Sequence, residues 1–243
     1  MARTVLVTGA SGSIGRAICE NVAGEWDVAA HYHADSSTGT EVVESVRSEG
    51  SDARSYRADL GDTEAAVGLV ESVADDFGRL DGIVNNAGVF YDAPLDAYDD
   101  DMYQRTFGVN ADGAIYATRA ALSAMEANEP VDGVRGRVVS IASTAGVHGG
   151  PKDAIYAASK GALIAFTKSV ARSRAADSIL ANVVAPGPTD TGMLPEERKE
   201  LARDAIPLGR LATPEEIAEV VRDGLETSFM TGQVLELNGG LYT

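Results

Sequence analysis

Cysteine occurs once in these 243 residues, at Cys19, and histidine three times, at His31, His33 and His148. A lone cysteine excludes an intrachain disulfide framework and a cysteine-based zinc site. The histidines show no H-x-x-x-H spacing or comparable cluster, so no metal is expected. There is no G-x-S-x-G elbow and no ordered triad, which excludes a serine hydrolase. No apolar run approaches eighteen residues, so no spanning helix and no membrane partner are expected. The start, MARTVLVTGAS, is too short in apolar residues for a signal peptide, and cytoplasm is the expected compartment.

Lysine is also scarce, with only Lys152, Lys160, Lys168 and Lys199, and acids outnumber bases by 37 to 20. The net charge of −17 repels nucleic acid and anionic membranes, so neither is an expected partner. An acidic, lysine-poor composition resembles that of proteins from very salty cytoplasm, where salt screens the self-repulsion. A merely acidic bacterial enzyme is the plainer reading. With 44% hydrophobic and 23% charged residues, the chain can bury a sizeable core.

What is present is a regular alternation. The apolar patterning predicts strands at 4–8, 28–32, 53–58, 80–85, 138–141, 180–184 and 233–237. Helical patterns lie between them at 14–23, 40–49, 63–77, 100–128, 152–176, 195–206 and 214–226, the long one at 100–128 having a weak point near Gly108. Asp62 and Thr213-Pro214 are expected helix starts, and Pro151 precedes the helix expected from Lys152. About seven strands alternating with helices predict a parallel sheet covered on both faces. No linker or repeat is visible, so residues 1–243 read as one domain.

The first strand runs into Thr8-Gly9-Ala10-Ser11-Gly12-Ser13-Ile14-Gly15. Such a glycine-rich turn lets a backbone pass close to a pyrophosphate and presents a helix start to it, although a tight turn without a ligand fits too. Tyr156 and Lys160 are four apart on a predicted helix and share one face, an arrangement that alone is common surface decoration. A neighbouring ammonium favours the phenolate, so Lys160 is expected to lower the Tyr156 pKa and ready it for proton transfer. Ser143 follows a predicted strand, at the sheet edge where ligands bind in parallel α/β folds. Its hydroxyl could hold a substrate oxygen. Asn110 interrupts a helical pattern and could simply be a cap.

Taken in order, these residues resemble the short-chain dehydrogenase/reductase family over essentially the whole chain. The glycine turn is similar to the family's TGxxxGxG turn, with Ser13 in place of the middle glycine. Asp59-Leu60 is similar to its adenine-contact position, and Asn85-Asn86-Ala87-Gly88 to its NNAG motif. Asn110, Ser143, Tyr156 and Lys160 are similar to its catalytic set, and Pro186-Gly187 with Thr189 and Thr191 to its nicotinamide-side turn. The resemblance implies an α/β fold of a single Rossmann-type doubly wound domain with about seven parallel strands. It also implies hydride transfer between a nicotinamide nucleotide and a carbonyl or alcohol. Gly9, Ser11, Gly12, Ser13, Ile14, Gly15, His33, Asp59, Leu60, Asn86, Ala87 and Gly88 would bind the cofactor. Tyr156, Lys160, Pro186, Gly187, Thr189 and Thr191 would join them. Ser143, Tyr156 and His148 would face the substrate, and the main-chain carbonyl of Asn110 would hold a water that passes protons to Lys160.

The end of the second strand carries Tyr32 where NAD-preferring members have Asp, while His33, Ser36 and Ser37 could meet a 2′-phosphate. NADP(H) is therefore favoured over NAD(H). A one-residue slip would instead make Asp35 the ribose acid, and His31 and His33 also read as plain strand-end histidines. The stretches NVVAPG, PLGRLATPEEIA and TGQVLELNGGLY are similar to 3-oxoacyl-(acyl-carrier-protein) reductases, and also to many carbonyl reductases and sugar dehydrogenases. A 3-oxoacyl thioester is the expected substrate, with a sugar, polyol or small ketone as the alternative and a non-catalytic NADP-binding regulator as another. An acidic carrier would need an arginine patch, for which Arg105, Arg119, Arg135, Arg172 and Arg174 are candidates. Met193, Leu194, Leu201, Ile206 and Leu208 suggest a lid over 189–212, though ordinary packing explains them as well. Family members are usually tetramers, so a homotetramer or homodimer is implied. The helices 100–128 and 152–176 would pack through Ala157, Ala158, Gly161, Ala162 and Ala165.

Overall fold

Alternation of side chains along the strands splits the core into two layers. Val5 and Val7 pack with one cluster of buried residues, and Leu6 between them packs with the other. The computed structural model describes residues 2–150 and 153–242, apart from the side chain of Ser36. Seven strands form one parallel sheet in the order β3-β2-β1-β4-β5-β6-β7. They are β1 (Arg3–Val7), β2 (Trp26–Tyr32), β3 (Ala53–Arg57), β4 (Gly82–Asn85), β5 (Gly136–Ile141), β6 (Ile179–Pro186) and β7 (Val234–Leu237).

The helices in chain order begin with α1 (Ser13–Val22), α2 (Ser36–Ser48) and α3 (Thr63–Phe77). Next come α4 (Asp100–Phe107), α5 (Ala114–Glu126) and α6 (Thr144–His148). The last three are α7 (Ala154–Arg174), α8 (Glu196–Ala205) and α9 (Pro214–Glu226). Helices α1, α2 and α9 cover one face through Ile18, Val22, Val42, Val46, Ile217 and Val221. Helices α3, α5 and α7 cover the other through Leu69, Val73, Ala121, Met125 and Val170. Each such Val, Leu or Ile contributes about 1.5–3 kcal/mol by leaving water. Cys19 lies inside the first layer, and burial pushes its thiol above its ordinary pKa, so it is a core residue.

Strand order reverses direction between β1 and β4. Connections leave the sheet on opposite sides there and open a crevice at the strands' C-terminal ends. The turns after β1, β4, β5 and β6 all meet at that crevice.

Local differences from the expected pattern have identifiable causes. Helix α2 starts at Ser36 rather than residue 40, because the Asp35 carboxylate caps it by accepting the Ser37 and Thr38 N–H groups. The expected helix 100–128 is two helices joined by a π-helical segment, Gly108–Gly113. The segment is wide because Asn110 turns inward to bond the backbone of Val89 and Gly113 packs onto Leu60. The glycine-rich stretch after β5 contains the short helix α6, whose first turn is capped by the Ser143 hydroxyl. The expected start of the helix at Pro151-Lys152 lies outside the described residues. Asp62 caps α3 as anticipated, and Thr213 and Glu216 form a reciprocal capping box on α9.

Candidate active site

The crevice is a cleft of ≈ 1080 Å³, larger than a drug-sized pocket and long enough to have two chemically distinct ends. At one end Gly9, the 11–15 turn, His33, Leu60 and the 86–88 turn line it. Gly9 has φ +66°, and a Cβ there would lie 2.9 Å from Ala87 Cα. A Cβ on Gly15 would run into the Gly9 carbonyl. The two turns therefore touch backbone to backbone, and only glycine permits it. Thr8 and Asn86 lock the contact: Asn86 donates to the Thr8 and Gly9 carbonyls at 2.9 and 3.1 Å. The Thr8 hydroxyl accepts the Asn86 and Ala87 amides. No side chain caps the N-terminus of α1 and no acid sits in its first turn, which leaves its N–H groups and positive dipole end facing the cleft. Gly12 and Ser13 are exposed at this rim, with room beside Gly12. This donor set and cradle fit a nucleotide pyrophosphate.

Just past the end of β2, Asp35 is not a free acid. Hydrogen bonds from Ser37 and Thr38 hold it down to about 2, and all of them serve the cap of α2. His33 lies exposed 3.6 Å from Asp59. Asp59 itself stands just behind the lining. Burial raises its pKa, but the Gly61 amide and the Arg105 guanidinium, 2.6 Å away, outweigh that and hold it low.

At the other end the end of β5 delivers Ser143, and the first two turns of α7 deliver Tyr156 and Lys160. Asn110 sits behind them, fully buried. Its amide accepts from Val89 N–H at 2.7 Å and donates to the Val89 carbonyl and the Ser159 hydroxyl. Ser159 in turn donates to the Tyr156 carbonyl, so the π segment and the helix bearing Tyr156 are tied together. Lys160 Nζ donates to the Ile141 carbonyl at 2.9 Å and lies 5.8 Å from the Tyr156 ring centre. A Cβ on Gly88 would sit 3.3 Å from both Lys160 Nζ and Asn110 Oδ1, so the NNAG turn closes on the same cluster. Pro186, Gly187, Thr189 and Thr191 line the remaining wall.

The expected lowering of the Tyr156 pKa by Lys160 is corrected. Burial pushes the phenol up to about 12, with Asp153 adding to the rise, while the hydrogen bond with Ser143 opposes it. Burial also brings Lys160 down to about 8. Tyr156 is half-buried and Lys160 buried, and desolvation, which penalises each charged form, is the leading cause of both shifts.

His148 does not line the cleft. It bonds Glu236 at 2.6 Å and stacks on Tyr242 at 4.2 Å, and Tyr242 is the residue that faces the pocket. The arginine patch does not form at the mouth. Arg105 is at the nucleotide end, Arg119 lies over Tyr116, Arg172 is exposed on α7 away from the cleft lining, and Arg135 and Arg174 converge on Glu126 at the opposite edge of the sheet. Of the apolar set in 189–212, Met193, Leu194 and Leu201 line the cleft, Ile206 is buried, and Leu208 is exposed.

Three further lining residues have structural work to do: His31 under the glycine turn, which the sequence left as a plain strand-end histidine, and Phe90 and Arg198 at the substrate end, which it did not single out. His31 carried a signal, as a histidine inside an apolar strand. Nothing in the spacing pointed to Phe90 or Arg198.

Residues 3–202 match the family model described as short chain dehydrogenase. The chain is 32% identical over 245 residues to the 3-oxoacyl-(acyl-carrier-protein) reductase of Vibrio cholerae, covering 99% of this chain and 97% of that protein. It is 34% identical over 247 residues to an acetoacetyl-CoA reductase of an Acinetobacter species, covering 99% and 98%. A short chain dehydrogenase from Burkholderia cenocepacia, solved in complex with NADP, superposes with a TM-score of 0.91 at 32% identity, covering 98% and 97%.

Proposed function

The chain belongs to the short-chain dehydrogenase family and is an oxidoreductase, and from that premise we propose that it reduces a 3-oxoacyl thioester to the 3-hydroxy form with NADP(H). The observation that carries the reading is the convergence of Ser143, Tyr156 and Lys160 on one wall of a cleft whose other end is a glycine cradle. When bound, a nicotinamide nucleotide supplies or accepts the hydride. Gly9, Ser11 to Gly15 and the start of α1 would hold its pyrophosphate. Asp59, Leu60 and the 86–88 turn would hold the adenosine side. Pro186, Gly187, Thr189 and Thr191 would hold the nicotinamide side. Engagement of Asp35 as a helix cap, with His33 exposed at the rim beside Asp59, supports NADP(H) over NAD(H).

The chain's own residues orient the substrate and move the proton. Ser143 donates to the carbonyl oxygen and stabilises the charge that builds on it. Tyr156 passes its phenolic proton to that oxygen in reduction and collects it in oxidation. Lys160, at the floor, stabilises the phenolate left behind. Asn110, fixed by Val89 and Ser159, sets the backbone through which the lysine would be reprotonated.

One domain would carry both sites, with 189–212 as a lid and the cytoplasm as its setting. A homotetramer is proposed, supported by the exposed Ala158 and Ala165 on α7 and by Phe229, which is fully exposed beside the edge strand β7. Light scattering in high salt tests it.

A second reading has its own support. The segments framing the substrate end are acidic, with Asp92, Asp96 and 99–101 on one side and Asp190, Glu196, Glu197 and Glu200 on the other. A small uncharged ketone or sugar would enter this mouth more readily than a polyanionic carrier. The experiment follows nicotinamide absorbance with acetoacetyl-CoA, with the uncharged acetoacetyl-N-acetylcysteamine thioester and with simple ketones. Turnover of both supports the thioester reading. Turnover of simple ketones alone favours the second, and no turnover of any of them contradicts the enzymatic proposal.

A further inference from the structure

Helix α8 itself has no buried residue, and the apolar anchors of its segment, Ile206 and Leu211, lie beyond its C-terminal end. Its segment leaves and rejoins the body where Thr189 bridges Ala212 and Asp190 N–H donates to the Ala212 carbonyl at 2.8 Å, and past the helix Leu208 N–H donates to the Gly239 carbonyl at 3.2 Å. Between those ends Met193 and Leu201 face the cleft 47% and 63% exposed. The helix's ion pairs are mostly local: Lys199 bonds Asp190 and Glu196, and Arg203 bonds Glu196. Among the described residues, Arg198 alone makes ion pairs from this helix to the body. Its guanidinium bonds Asp92 Oδ1 at 2.6 Å and Asp153 Oδ1 at 3.0 Å, and lies 5.5 Å from the centre of the Phe90 ring. Phe90 meets Tyr156 edge to face at 5.3 Å.

Asp153 is the residue that makes this arrangement informative. It stands at the N-cap of α7, where Asp is among the best capping residues, yet its side chain caps nothing. Its carboxylate is drawn across to Arg198 instead. It lies three residues before Tyr156, and its charge disfavours the phenolate.

We propose that Arg198 is a positioning residue that latches the 189–212 segment to the body and at the same time balances the Asp153 carboxylate beside the Tyr156 phenol. Tyr156 is then set for proton transfer only with the segment closed. Withdrawal of the guanidinium leaves Asp153 unpaired and free to cap α7, and its field on the phenol is uncompensated. The other charged or titratable groups around the phenol among the described residues are few. Lys160 lies one turn along α7, Tyr91 and Asp92 come from the 86–99 loop, and Tyr242 comes from the C-terminal segment. His148 is turned to Glu236 and Asp190 to Lys199.

This inference rests on Tyr156 being the proton-transfer group. Its test is the pH profile of kcat/KM for oxidation of a 3-hydroxybutyryl thioester, where the phenolate is the active form. Arg198→Gln is expected to move the midpoint up by about half a unit to one unit and to raise KM several-fold. Asp153→Asn is expected to move the midpoint down, and adding Arg198→Gln to it should move the midpoint no further. Asp92→Asn is expected to raise KM, by loosening the latch. An Arg198→Gln profile lowered evenly at every pH with its midpoint in place would overturn the balancing role. So would a midpoint shift that persists in the Asp153→Asn background. A parent enzyme inactive with every thioester and ketone would overturn the functional reading itself, and with it this inference. The two failures are therefore distinct.

Discussion

The Nδ1 atom of His31 accepts the amide N–H of Gly9 at 3.0 Å, so a strand residue holds the glycine turn from below. Nε2 of the same ring is 3.1 Å from the Ala58 carbonyl, which assigns the neutral tautomer with the proton on Nε2. Burial keeps the imidazole neutral by lowering its pKa below the ordinary 6.5, against the pull of the Ala58 carbonyl. The unfolded chain therefore takes up this proton first as pH falls, and stability is lost from about pH 6.5 downward. Replacing His31 with Leu should remove that part of the pH dependence. At pH 7 it should cost about 1–3 kcal/mol of unfolding free energy, because the Gly9 amide and the Ala58 carbonyl lose their partner. Urea unfolding of both proteins between pH 5 and 8 checks it. An unchanged pH slope in the variant would contradict the assignment.

Lys160 is retained at a cost to the fold. Its pKa in the folded protein, about 8, lies below the ordinary lysine value. The unfolded chain thus binds more protons between those values, and this group's penalty is fully present below pH 8. Lys160→Met should raise the thermal midpoint at pH 7 by a few degrees, of the order of 1–3 kcal/mol, while turnover is lost. Calorimetry beside an activity assay reads both. A variant less stable than the parent at pH 7 and equally so at pH 10 would show that the Ile141 contact outweighs the buried charge.

The surface predicts a response to salt. With a net charge of −17, self-repulsion opposes folding, and it is screened as the Debye length falls from about 10 Å at 0.1 M to about 3 Å at 1 M. The thermal midpoint should rise steeply with KCl over that range and then continue more slowly. A midpoint that is flat or falls with KCl would remove the high-salt reading of the composition.

Much of the fold was legible because strands buried on both faces and helices with one apolar stripe leave periodic traces. Residues 63–77 and 214–226 were readable to the residue, since Asp62 and Thr213-Pro214 mark their starts. The π segment at 108–113 was visible only as a weak point. Its cause, the inward turn of Asn110 onto Val89, is a contact between distant parts of the chain. The order Asn110, Ser143, Tyr156, Lys160 was legible by resemblance. The electrostatic state of Tyr156 was not, because four-residue spacing says nothing about how far each group is desolvated. Arg198 was invisible for a similar reason: its partners Asp92 and Asp153 lie far away in sequence.

The most direct measurement compares Tyr156→Phe with the parent in two assays, NADPH affinity by fluorescence and NADPH consumption with an acetoacetyl thioester. Loss of the phenolic proton should reduce kcat by about 10²–10⁴-fold while the affinity for the nucleotide stays close to that of the parent. A variant that turns over at the parental rate would contradict proton transfer by Tyr156, and with it the account of the site.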